Sequence, residues 1–249
     1  MAESMHTSKP SIAELRAATQ PPEIFARNSG EHWAGRLYIR RLSPYATRLF
    51  LRAGLSPNAV TWLFIAAGVA AAAVLSLGGL AAAVGALLLI QLQILLDCSD
   101  GEVARWQQRF SVRGIYLDRI GHYVTEAALP IALGIAADEV TLGLVIAVLV
   151  LLVKSETALV HVARGEAGKP PPADRAEVAA PRGGLLRALR RAFGLVPLYR
   201  AFVAMEFTLL ALVAELLDAT DTLLVVLVPV AAITAAGHLV AILASDRLR

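Results

Sequence analysis

Long apolar runs dominate this chain, with neither strand-like alternation nor one polar helical face over most of their length. Six of them, at about 57–77, 80–104, 114–136, 140–162, 195–217 and 222–244, are close to the ~20 residues a helix needs to cross a bilayer. The pattern predicts an all-α integral membrane protein with six transmembrane helices. Acidic residues break the second and third runs at their shared end, which a pure hydropathy reading counts against them. Before the first run, residues 31–54 interleave Trp33, Leu37, Ile39, Leu42, Leu49 and Phe50 with Arg36, Arg40, Arg41, Arg48 and Arg52. That mixture predicts N-terminal interfacial amphipathic helices lying beside anionic lipid. Ser43-Pro44 and Ser56-Pro57 each read as an N-cap followed by proline at the first helical position, predicting a bend at Ser43 and entry into the membrane at Ser56. Residues 1–30 are polar, lack a signal-peptide pattern, and hold one capping box, Ser11-Ile-Ala-Glu14. No function is assigned to them. The expected organisation is a polar segment 1–30, juxtamembrane helices 31–55, and a transmembrane domain 56–246 with a cytoplasmic linker at about 165–184.

Composition strengthens the membrane reading. Of 249 residues, 57% are hydrophobic and 17% charged, while aromatics make up only 6%, so the apolar excess is Ala, Val, Leu and Ile. The single cysteine, Cys98, has no partner for an internal disulfide, and packing must hold the fold. The net charge of +3 becomes informative once it is placed along the chain. Arginines and lysines precede the first run, fill the second-to-third connection (Arg105, Arg109, Arg113) and crowd the fourth-to-fifth, from Arg164 and Lys169 to Arg190 and Arg191. The opposite connections, at 76–79, 137–139 and 218–221, contain no Lys or Arg. By the positive-inside rule both termini and the basic loops are cytoplasmic, in a multi-pass protein of the cell membrane. Nucleic acid is an unsuitable partner, because these charges hug membrane ends and form no separate basic domain.

The scarce charged residues carry the chemistry. Asp97-Cys-Ser-Asp100-Gly101-Glu-Val-Ala104-Arg105 closes the second run, and Gly114-Ile-Tyr-Leu-Asp118-Arg-Ile-Gly-His122 opens the third. Positions 97, 100, 101 and 104 share one helical face, as do 114, 118 and 122. Two antiparallel helices therefore aim Asp97, Asp100 and Asp118 into one space, and Gly101 and Gly114 leave room for a ligand or a neighbouring backbone. Bare carboxylates there would repel one another and suffer desolvation. A hard divalent cation resolves the conflict, and an all-oxygen set favours Mg²⁺ or Mn²⁺ completed by substrate phosphates. Arg105, near Asp100, is placed to meet such a phosphate.

The pattern Asp-x2-Asp-Gly-x2-Ala-Arg-x8-Gly-x3-Asp resembles the signature of the CDP-alcohol phosphotransferase family of integral membrane enzymes. Ser56-Pro57-Asn58-x2-Thr61 is similar to the family's Pro-Asn-x2-Thr element at its first membrane helix. The resemblance implies a homodimer in which an acceptor alcohol, such as a polyol phosphate, attacks the β-phosphorus of a CDP-alcohol donor and CMP leaves. It implies two Mg²⁺ or Mn²⁺ ions on Asp97, Asp100 and Asp118. Gly101, Ala104, Arg105 and Gly114 would line the CDP site, with Asn58 and Thr61 helping near its phosphates.

One position departs from the pattern. The family ends its motif with a fourth Asp, thought to be the catalytic base, where this chain has His122. Three readings stand: His122 is the base, a nitrogen ligand, or the mark of an inactive relative. Glu126, one turn further on, is either a partner that orients the His122 ring or a group satisfied by a neighbouring helix. Lys154 and Arg200, inside the fourth and fifth runs, are candidates for the acceptor phosphate, against snorkelling or pairing with Glu156 or Glu206. A small cation-coupled transporter is the rival function, although no repeated half with a broken midplane helix is visible.

Overall fold

The computed structural model describes residues 10–21, 33–170, 198–245 and 248, and every regular element among them is helical. In chain order these are α1 (Ile12–Thr19), a π-helical turn (Gly35–Ile39) running into α2 (Arg40–Arg52), α3 (Pro57–Leu75), α4 (Gly79–Gln107), α5 (Val112–Ala136), α6 (Val140–Glu166), a 3₁₀ turn (Leu198–Phe202), α7 (Ala204–Leu216) and α8 (Thr220–Leu243). Four of them, α3, α4, α6 and α8, are long and apolar enough to cross a membrane. Helix α5 has 25 residues, but Asp118, His122 and Glu126 dilute its apolar character. The stretch expected as the fifth span is interrupted: Val203 takes extended backbone (φ −72°, ψ 136°) after the 3₁₀ turn, and α7 has only 13 residues. The break puts Glu206 in the first turn of α7, where the helix dipole favours a carboxylate. Of the linker expected at 165–184, only residues to 170 are described, and the basic stretch 184–193 lies outside the described residues.

Local chemistry sets the boundaries. Ser11 caps α1 as expected: its Oγ accepts the Glu14 N–H at 3.2 Å, and Glu14 Oε2 accepts the Ser11 N–H at 2.7 Å. These bonds hold the Glu14 carboxyl below its ordinary range. Ser56 likewise caps α3, taking the Ala59 N–H at 3.2 Å. The short connection from α3 to α4 needs positive φ at Gly78 (70°) and Gly79 (81°), a conformation that costs glycine little.

Ser43 does not begin a helix as its Ser-Pro pairing predicts. Ser43 and Pro44 lie inside α2, with the π-helical turn before them already wound. A proline there has no N–H for the Arg40 carbonyl. The Gln20 side-chain amide donates to that carbonyl instead, at 2.8 Å, and Arg16 Nη2 donates to the next one, Arg41 O, at 3.2 Å. The proline is tolerated because α1 and its C-terminal residue supply substitute donors.

The chain forms two compact units, Met1–Ala71 with Leu88–Thr125, and Ala72–Leu87 with Glu126–Arg249. The first is built round Leu15, Leu51, Val60, Phe64, Ala67, Leu96, Val103 and Trp106, so α1 contributes to the same core as α2, α3 and α4. A second cluster packs Ala34 and Ile39 of the π-helical region against Cys98. In α2 the buried side carries Ser43, Pro44, Thr47 and Leu51, while Leu42, Tyr45 and Leu49 are exposed. The polar half of that buried side faces Glu102 of α4, which is fully buried. Glu102 accepts from Ser43 Oγ at 2.5 Å, Thr47 Oγ1 at 2.7 Å and Gln20 Nε2 at 2.8 Å, with Arg40 Nη1 at 3.5 Å. Removing one member of such a cluster strands the others. Glu102→Ala is expected to cost about 3–5 kcal/mol, read as a lowered unfolding midpoint in detergent, and Glu102→Gln less.

In the second unit, α6 and α8 pack along their lengths, and Gly143 of α6 lies against the Pro130 carbonyl of α5, too close for a Cβ. His238 Nδ1 and Glu156 Oε2, 2.7 Å apart, tie α8 to α6. Lys154 Nζ pairs with Glu126 Oε2 at 2.8 Å. That pair borders an apolar cavity of about 230 Å³ whose other lining residues include Tyr199, Phe202 and Thr234.

Candidate metal and phosphate site

In the first unit, the end of α4 and the start of α5 bring the acidic hairpin together. Asp97 comes from α4, and Asp118 and His122 from successive turns of α5. One donor atom from each lies within 4.8 Å of the other two. His122 Nε2 is 3.4 Å from Asp97 Oδ1 and 3.7 Å from Asp118 Oδ1. The side chains are 33–42% exposed, so a ligand has access to them. Two carboxylates and an imidazole at these separations suit a divalent cation, because ligands about 2.1 Å from an ion stand about 3 Å from one another in octahedral geometry. The donor set thus fits a metal, and it places the His122 nitrogen, one of whose three readings was a ligand, in the position expected for the Asp100 carboxylate.

Asp100 stands outside that trio. Its Oδ2 accepts the Thr61 hydroxyl at 2.7 Å, which joins the acidic helix to the Pro-Asn-x2-Thr element of α3. Asn58 of the same element lies against Gly114, where a Cβ would fall 2.9 Å from Asn58 Oδ1. Gly101 is covered by the Arg105 guanidinium, whose Nη1 would be 3.1 Å from a Cβ there. Ala104, one turn beyond Asp100, is half-buried. The expected CDP-site residues Asn58, Thr61, Gly101, Ala104, Arg105 and Gly114 therefore belong to the same unit as the acidic trio.

The remaining candidates are distributed differently. Glu126 pairs with Lys154 in the second unit. Lys154 borders the cavity, whereas Arg200 sits exposed on the 3₁₀ turn and is not among the lining residues.

Sequence reasoning missed several residues that shape the site. Phe64 of α3 meets the His122 ring edge-on, with centroids 4.9 Å apart and planes inclined at 60°. Gly121 permits this approach, since a Cβ there would clash with the Phe64 ring. A glycine beside the histidine was the available sequence signal. Glu102 and Gln20 were also missed: a buried carboxylate held by hydroxyls from another helix leaves no periodic trace.

A family model described as CDP-alcohol phosphatidyltransferase matches residues 54–236, well over half of the chain. Archaetidylinositol phosphate synthase of Aeropyrum pernix is 39% identical over 99 residues, which are 38% of this chain and 50% of that protein. The chain thus spans about half the length of this curated relative.

Proposed function

This chain belongs to the CDP-alcohol phosphatidyltransferase family, and we propose from that premise that it transfers a substituted phosphate group from a CDP-alcohol to an acceptor alcohol, in phospholipid biosynthesis. The observation that carries the proposal is the convergence of Asp97, Asp118 and His122, beside an Asp100 held by the Pro-Asn-x2-Thr element. The acceptor hydroxyl gives its proton to His122 Nε2 and its oxygen bonds to the β-phosphorus. The bond from that phosphorus to the oxygen bridging to the α-phosphate breaks, and CMP departs with the electron pair. Asp97 and Asp118 would hold Mg²⁺ or Mn²⁺, and Asp100, with one oxygen taken by Thr61, would offer its other to a second ion. When bound, such ions would neutralise the diphosphate and favour in-line displacement. Phe64 steadies the His122 ring, and Arg105 contributes a positive charge for a phosphate oxygen.

A second reading has its own support. His122 Nε2 lies as close to the carboxylates as a ligand atom would, and on this reading the nitrogen belongs to the metal set, with proton transfer left to a water. The two readings separate in the metal dependence of His122 variants.

The membrane setting belongs to the same proposal: six crossings, with α5 and the region of α7 completing the four apolar helices, and the arginine-rich ends cytoplasmic. The exposed Leu42, Tyr45 and Leu49 of α2 suit the interfacial position expected for that helix. The homodimer that the family resemblance implies is part of it too. The name of the Aeropyrum relative makes inositol phosphate the first acceptor to try. Lys154 is the candidate for the acceptor phosphate, an incoming phosphate competing with Glu126 for its ammonium. Lys154→Ala is expected to raise the KM for a phosphorylated acceptor about tenfold while leaving the donor KM within twofold. The deciding assay is CMP release by detergent-purified protein with Mg²⁺ or Mn²⁺, over a panel of CDP-alcohols and polyol phosphates. No CMP release from any pair would defeat the proposal; metal-driven cation uptake into vesicles would point to the transporter instead.

A further inference from the structure

Helix α1 lies outside the residues matched by the family model, yet its C-terminal end bonds Arg105. Eight residues of helix are marginal on their own in water, so docking must hold this one. Leu15 is fully buried among Val60, Phe64, Leu96, Val103 and Trp106. Thr19 is also fully buried, its hydroxyl turned back to the Leu15 carbonyl at 2.7 Å. Gln20 Nε2 is 2.8 Å from both Arg40 O and Glu102 Oε1, and 3.3 Å from Ser43 Oγ. With α1 so fixed, the Thr19 carbonyl at its C-terminal end accepts from Arg105 Nε at 2.7 Å. A helix C-terminus carries partial negative charge and is a favourable partner for a guanidinium.

That bond has a geometric effect. A guanidinium is planar, so anchoring Nε fixes the plane and leaves the Nη edge as a fork for a doubly contacted phosphate. Here the Nη atoms lie along Gly101, the residue after Asp100 in α4. Free in solution, the same side chain would sample many rotamers and lose that freedom on binding.

We propose that α1 is a positioning element of the donor site: by docking through Leu15 and Gln20, it holds the Thr19 carbonyl against Arg105 Nε and presents the guanidinium edge to the diphosphate of a CDP-linked substrate. The inference rests on the CDP-alcohol reading of the site. Thr19 and Gln20 act through Arg105 and touch no reacting atom.

The test uses the full-length protein in detergent with Mg²⁺ and CDP as probe, its dissociation constant measured by titration calorimetry. Leu15→Ala undocks α1, and Gln20→Ala removes its polar anchor, leaving the apolar cluster round Leu15 intact while taking a donor from Glu102 and from the Arg40 carbonyl. Each is expected to weaken CDP binding about tenfold and to speed hydrogen exchange at residues 12–20, while Leu15→Met restores both. In an Arg105→Ala background the same substitutions are expected to change CDP affinity less than twofold, because the arginine they act through is gone. CDP affinity within twofold of wild type in both single variants, or effects that add fully to that of Arg105→Ala, would overturn the positioning role. A wild-type protein that does not bind CDP would overturn the functional reading together with it.

Discussion

Asp97→Ala is expected to reduce CMP release on the order of a thousandfold, the scale lost when a preorganised charge partner of a transition state is removed. The reason lies in the donor trio, whose atoms stand within 4.8 Å of one another. Without Asp97, α4 no longer contributes to it and α5 alone supplies Asp118 and His122. Titration with Mn²⁺ should show the affinity falling in parallel with activity. The folded state should not suffer to match. Without metal, Asp97 faces both the Asp118 carboxylate, which repels it, and His122 Nε2 at 3.4 Å, which offsets that repulsion. The metal-free Asp97→Asn protein is therefore expected to unfold close to the wild-type temperature. Restored activity at high metal concentration would agree with a ligand role, whereas a lowered midpoint without metal would make Asp97 a structural residue.

His122→Ala is the second large effect, and it decides between the two roles of that side chain. As the proton acceptor, His122 should contribute about 10²–10⁴-fold to turnover, so its loss should appear in kcat with Mn²⁺ affinity unchanged. As a ligand, it should lower metal affinity by at least tenfold, and the activity should recover as metal is raised. His122→Asp is the informative companion. It returns the residue that the family pattern carries at this position, and a base of either type should restore part of the turnover. Wild-type turnover in His122→Ala at every metal concentration would remove the histidine from both roles. The edge-on contact with Phe64 at 4.9 Å gives a control, because Phe64→Leu leaves the imidazole in place while loosening its ring, and should cost far less than His122→Ala.

The approach of Asp97 to Asp118 and His122 was legible because helical spacing converts sequence into geometry. Asp97 and Asp100 three apart, and Asp118 and His122 four apart, had to project from neighbouring turns once α4 and α5 were helices. The caps at Ser11 and Ser56 were legible for a similar reason, since N-capping depends on residues only three apart. The Ser43-Pro44 pair defeated the same rule. A proline inside a helix is costly through the hydrogen bond it removes, and here Gln20, far away in sequence, replaces that donor. The fifth run was apolar enough to suggest one continuous helix, but hydropathy does not register the break at Val203.

The expected roles of Glu126 and Lys154 show a further limit. Each was read from its depth along one helix, and depth does not reveal the partner on another. Their pairing at 2.8 Å is a tertiary fact, as is the choice of Asp97, Asp118 and His122 as the close trio while Asp100 turns to Thr61.

By itself, the sequence determined the apolar helices, the acidic hairpin and the family resemblance, because each depends on composition or on spacing within one element. Only the tertiary structure decided that α1, to which the sequence assigned no role, joins the core through Leu15 and meets Arg105 through Thr19. The physical reason is that contacts between distant elements depend on packing and on the pairing of buried polar groups, and these become fixed only once the helices have docked.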